Sequence, residues 1–202
     1  MNETESHVVP YDRAQREIRD ADLLLFRRGR GLVDRMIAAS GRSLYVHAAM
    51  AAWWRDDLMC LETLQLRDGR AVCLAGQVAR FPGRWDVYET NPDDRLPFDR
   101  VAAVRTMKRF TGTRYGWWNV LRIALRRLPI ARWLVRPVTD DLADGTHPPF
   151  CSQAVAIACR AGGVDPVPNL ADRLTEPGDL ARSPFFRYRF TLASASEEGK
   201  GP

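Results

Sequence analysis

The sequence predicts an α+β fold in which an antiparallel sheet carries, packed against it, the helix that begins at Cys151. Three observations predict it. Short apolar or alternating runs fill the first half of the chain, helical spacing takes over from Phe98, and Pro148-Pro149-Phe150 leads abruptly into the small-residue run that starts at Cys151. Strands segregated from helices in this way argue for a sheet covered by helices rather than for alternating βα units. The 202 residues, 46% of them hydrophobic, suit one domain with a sizeable core.

The elements follow in order. Residues 1–20 are charged and read as an N-terminal arm or short helix. Residues 21–26, Ala-Asp-Leu-Leu-Leu-Phe, form a buried strand, and the Arg/Gly-rich stretch 27–31 is a loop. Leu32, Met36 and Ala39 have helical spacing, ended by Ser40-Gly41. Residues 44–53 form a strand whose period of two puts Tyr45, His47, Ala49 and Ala51 on one face. Arg55-Asp56-Asp57 turns the chain back through 58–66. Asp68-Gly69 is a hairpin signal before a strand at 71–75, and 85–89 is a further strand. A helix spans 98–110, with Asp99 near its start and Gly112 beyond its end. The Cys151 helix stops at Gly162-Gly163. Residues 185–192 alternate again as an edge strand, and 193–202 form a polar, disordered tail.

Charge and cysteine usage exclude several classes. The net charge of +5 comes mainly from arginine, which suits an acidic surface or an ordinary arginine-rich protein. No basic cluster is interleaved with aromatics, so no nucleic-acid partner is expected. Cys60, Cys73, Cys151 and Cys159 match no zinc spacing and the three histidines stand apart, so neither a metal nor a cofactor is expected. Free thiols and a polar start without an apolar signal segment make the cytoplasm the default location.

Candidate chemistry begins with Cys151. A thiol at a helix N-terminus faces the positive end of the helix dipole and unpaired N–H groups, and both favour the nucleophilic thiolate. Read alone, it is equally a small apolar helix residue. Its partners decide. His7 lies in the arm and His147 in a loop, whereas His47 sits mid-strand in an apolar setting, as a satisfied core histidine or as a base. Glu62 occupies the middle of another apolar strand, where a carboxylate is costly unless paired; the alternative is a solvent-facing edge. A hairpin turning at 55–57 brings His47 and Glu62 opposite one another or within about two positions. Gln65 and Gln77 are weaker substitutes for Glu62.

These residues together resemble the permuted branch of the NlpC/P60 papain-like superfamily, the YaeF/YiiX-type amidases. The likeness is carried by Tyr45-Val46-His47-Ala48-Ala49-Met50, Cys60-Leu61-Glu62, Gly112-Thr113-Arg114-Tyr115-Gly116 and Phe150-Cys151-Ser152-Gln153, and by the opening Ala21-Asp22-Leu23 strand. It spans residues 21–192, with the strands before the cysteine helix, which implies a circularly permuted papain-like fold. It also implies a Cys–His–Glu triad of Cys151 as nucleophile, His47 as base and Glu62 as orienting acid, with Tyr115 and Tyr45 lining the substrate pocket. Ala48-Ala49 replaces the usual Gly-Ile-like pair, and the stretch between Tyr115 and Cys151 is unusually long.

Residues 117–136 form a basic, tryptophan-bearing amphipathic insertion. Central arginines costing ~2.5–3.5 kcal/mol each, and Pro129, exclude a membrane span. Either its apolar side covers the core, or it rests on an anionic membrane surface and makes the protein peripheral. The expected activity is that of a thiol hydrolase acting on a small amide, peptide or acyl substrate. The alternatives are an acyltransferase, or a non-catalytic acyl-chain or lipid-binding module on the same fold.

Overall fold

The computed structural model describes residues 7–29, 43–64, 69–111 and 150–195. Tyr115, the stretch 117–136, the helix expected around Leu32–Ala39, Asp68 and the tail from 196 lie outside the described residues.

Seven strands form one sheet: β1 (Val8–Pro10), β2 (Leu23–Arg27), β3 (Tyr45–Trp54), β4 (Asp57–Thr63), β5 (Gly69–Cys73), β6 (Trp85–Thr90) and β7 (Phe186–Ala193). Their spatial order is β1-β7-β6-β2-β3-β4-β5. All neighbours are antiparallel except β1 and β7. Five α-helices belong to the described residues: α1 (Tyr11–Ala14), α2 (Leu74–Arg80), α3 (Arg100–Phe110), α4 (Cys151–Ala161) and α5 (Pro177–Arg182). This is the α+β architecture that the pattern of strands and helices predicts.

Alternation in the central strands divides the core in two. Leu23, Leu25, Ala48, Met50 and Leu61 pack under α3, α4 and α5 through Ala103, Met107, Ala154, Ala158 and Leu180. Leu24, Ala49, Ala51, Leu58 and Val87 turn the other way, onto Tyr11, Ala14, Leu74 and Val78 of α1 and α2. The alanines of β3 let helix α4 approach the sheet closely, since α4 offers alanine and cysteine on its packing side.

The structure corrects the expected elements in four places. The strand expected at 71–75 ends at Cys73, and α2 begins at Leu74 because Leu74 and Val78 bury one turn apart. Residues 185–192 do not form an edge: β1 adds in parallel to β7, so that strand is interior. The segment expected as an arm or short helix carries the short helix α1 and lies against the sheet rather than apart from it, with Tyr11, Ala14 and Ile18 buried. Finally, Tyr45 does not share a face with Ala49 and Ala51. Phe26 pairs with His47 but Arg27 pairs with Tyr45, so Val46 is an extra residue and Tyr45 packs with the Ala48–Met50 side.

Asp22 ties the layers together. Its carboxylate accepts from the backbone N–H of Arg19 and Thr90 and from Arg100 Nη1, at 2.9–3.1 Å. Ala21 before it holds φ +64, the left-handed region that costs an L residue about 1–2 kcal/mol.

Candidate active site

Three elements bring the candidate residues together. β3 and β4 form a tight hairpin with Trp54 paired to Asp57 and Arg55 at φ +57 in the turn. One step beyond the Met50–Leu61 pair, the register places Glu62 beside Ala49 and so diagonal to His47. Helix α4 delivers Cys151 as its first residue. Phe150 before it is extended, at φ −65 and ψ 164, and Gln153 Oε1 accepts the Phe150 N–H at 3.2 Å, capping the first turn. Ser152 Oγ donates to the Thr175 carbonyl at 2.6 Å and fixes the rotation of the helix start.

His47 Nε2 and Glu62 Oε2 are 2.6 Å apart. That leaves ring atom Nδ1 for Cys151, the other group that acts on the His47 imidazole. The backbone N–H groups of Ala48 and Ser152 also favour the charged form of the Cys151 sulfur. Cys151 is 4% exposed, His47 14% and Glu62 2% by side chain, so all three sit in a low-dielectric setting. The His47 ring stands edge-on to Trp85 at 6.3 Å between centroids. The β3 bulge immediately precedes His47 and breaks the alternation there.

Burial opposes every charge in this group, and the groups' mutual attraction outweighs it. For His47 the charge and hydrogen bond of Cys151, then those of Glu62, raise the imidazole to about 10. The His47 charge and the hydrogen bonds from His47, Ala48 and Ser152 lower the Cys151 thiol against the same burial. Glu62 is lowered by His47 and Arg70, also against burial. The other interior thiols move oppositely: burial pushes Cys60 and Cys159 up. The arrangement is therefore suited to a Cys151 thiolate beside a His47 imidazolium, backed by a Glu62 carboxylate.

Tyr45 lies two residues before His47, with its hydroxyl donating to Asp86 Oδ2 at 2.6 Å and in contact with Tyr88 Oη at 2.9 Å. Asp86 is fully buried and also accepts from Arg27 Nε and Thr191 Oγ1. Sequence reasoning found neither this network nor Arg70, whose guanidinium binds Glu62. Period-two spacing across a 62–70 hairpin is the signal by which Arg70 was findable. Among the described residues no three His, Cys, Asp or Glu side chains are grouped to hold a metal ion. None of their helices is long and apolar enough to cross a membrane.

No family model and no curated protein matches the chain. Its structure is similar to the crystal structure of metalloprotein yiiX from Escherichia coli O157:H7, with a TM-score of 0.59 and 12% identity over 86% of this chain and 97% of that one. The chain thus shares the fold of that protein, a mostly antiparallel sheet packed by helices, with six of its seven strands ahead of the helix that begins at Cys151.

Proposed function

We propose that this protein is a thiol-dependent hydrolase that cleaves an amide or ester through a thioester on Cys151. One observation carries the reading: a thiol at a helix start and an imidazole act on one another's ionisation inside the protein, and a buried carboxylate bonds that imidazole at Nε2. In this reading the Cys151 thiolate adds to the substrate carbonyl carbon, and the oxygen takes up the charge. The backbone N–H of Cys151, at the positive end of α4, is the oxyanion donor. As the C–N or C–O bond breaks, His47 Nδ1 gives its proton to the leaving group. Glu62 holds the ring through Nε2 and stabilises its charged form. Water then attacks the thioester, His47 takes its proton, and the acid leaves as the thiolate–imidazolium pair is restored. Tyr45 lines the approach with its ring, its hydroxyl being committed to Asp86.

The yiiX protein is called a metalloprotein. Among the described residues no donor set fits such an ion: no three His, Cys, Asp or Glu side chains are grouped to hold one, and the two Glu62 oxygens are engaged by His47 and Arg70. The transferase and acyl-binding alternatives share the scaffold and separate in one experiment. In a Cys73→Ser background, which removes the exposed thiol, panels of peptidyl and fatty-acyl electrophiles should label the otherwise wild-type chain and Cys159→Ala but not Cys151→Ala. Equal labelling of the two variants would remove Cys151 from its role. A thioester released by an amine but not by water would assign transfer instead.

A further inference from the structure

Arg70 stands on β5 directly across from Glu62. Its Nε donates to Glu62 Oε1 at 2.7 Å and its Nη2 reaches the same oxygen at 2.6 Å, while His47 holds Oε2. The buried carboxylate is therefore divided, one oxygen to a guanidinium and one to the imidazole. The guanidinium is 40% exposed, so its own charge remains hydrated at one end.

We propose that Arg70 is a positioning residue of the thiol site: it fixes the plane of Glu62 with one oxygen aimed at His47 and keeps that carboxylate ionised through the whole cycle. This rests on the acyl-transfer reading and extends it to a fourth residue. During acyl transfer His47 is alternately cationic and neutral. When it is neutral, a carboxylate 2% exposed has no countercharge on the His47 side. An arginine does not titrate in this range, so it supplies that countercharge at every stage. Without it Glu62 takes up a proton more readily, and a protonated Glu62 no longer supports the imidazolium. Among the described residues, the titratable or charged groups bearing on Glu62 are His47 from β3, Arg70 from β5 and Cys60 on its own strand. Those bearing on His47 are Cys151 from α4 and Glu62 from β4.

Arg70 also joins β4 to β5, so a loss of stability alone would not separate positioning from stapling. The pH profile of Cys151 alkylation by iodoacetamide does, measured on the Cys151 peptide in the full chain. Arg70→Gln should slow alkylation about tenfold or more near pH 5.5 and move the acid limb upward. Near pH 8 the loss should stay within about threefold. Arg70→Lys should restore part of the loss, because it returns the charge without the fork. Glu62→Gln should reproduce the shift, and adding Arg70→Gln to it should change the profile no further. A wild-type acid limb unchanged in Arg70→Gln, with only a lower melting temperature, would overturn the positioning role. If Arg70→Gln does not fold, the Arg70→Lys and Glu62→Gln profiles decide. An Arg70→Lys acid limb displaced part of the way toward that of Glu62→Gln supports the role; an Arg70→Lys limb equal to wild type, or a Glu62→Gln limb equal to wild type, overturns it. Failure of the underlying reading looks different. In that case wild-type Cys151 would react no faster at acid pH than a small free thiol, whatever stands at position 70.

Discussion

Burial is the common setting of Cys151, Cys60 and Cys159, yet of the three only Cys151 has its thiolate favoured by an imidazole and by backbone N–H groups. Desolvation penalises a thiolate wherever it is buried, so the sign of the outcome depends on these partners. In a Cys73→Ser background, which removes the exposed thiol, iodoacetamide at neutral pH should modify Cys151 while Cys60 and Cys159 stay unlabelled; peptide mass spectrometry reads this out. Equal labelling of the three would show that burial outweighs the partners. The pH window follows from two opposite shifts. The lowered thiol supplies the anion from its depressed value upward, and the raised imidazole keeps its proton until the pH passes about 10. The ion pair, and the stability it contributes, is therefore present between these limits and lost as pH rises through the upper one. The alkaline limb of kcat/KM should fall near 10, where His47 can no longer protonate a leaving group. A limb near the ordinary histidine value would contradict the coupling. His47→Ala should lower kcat about 10²- to 10⁴-fold.

At the level of elements, the site depends on α4 meeting β3 at a fixed height, and α3 helps to set it. Asp99 caps α3 by accepting the Ala102 N–H at 2.9 Å, and its own backbone N–H donates to the Gly162 carbonyl at the end of α4. Phe98 and Gly162 pack so closely that a side chain at 162 would strike the Phe98 ring. Two substitutions separate local from global contributions. Asp99→Ala removes an exposed cap and should cost about 1 kcal/mol in a denaturant titration, with the Cys151 alkylation rate unchanged. Leu25→Ala opens a cavity beneath the three helices and should cost about 2–5 kcal/mol. Comparable losses from both would mean that the α3–α4 junction, and not the core, sets the stability of this layer.

At the level of the whole molecule, residues 47, 62 and 151 converge although two strands and a late helix carry them. Their meeting was legible because a histidine and a glutamate in apolar strands are conspicuous, and a short turn at Arg55 leaves few registers. Arg70 was not, since an arginine beside a turn looks like ordinary surface until its strand is paired. The bulge at Val46 was hidden for a related reason: local alternation carries no mark of an inserted residue, and only the pairing with β2 reveals it. Least legible was the joining of β1 to β7, a contact between opposite ends of the chain that no local pattern encodes. That closure gives the last prediction. Val8–Pro10 covers one side of β7, and Tyr11 and Ile18 bury against Leu24, Phe190 and Leu192. Deleting residues 1–19 would open a strand edge in the middle of an apolar layer and expose side chains worth about 1.5–3 kcal/mol each when buried. Against a total stability of about 5–15 kcal/mol, that loss is large enough to lower the melting temperature by many degrees and to drive association through β7. Scanning calorimetry and size-exclusion chromatography of the truncated chain measure both effects. A truncated protein that remains monomeric with an unchanged melting temperature would show that the first strand is an appendage. His47, Glu62 and Cys151 lie beyond β2 from this edge, so alkylation of Cys151 in whatever fraction stays folded should keep its wild-type pH dependence.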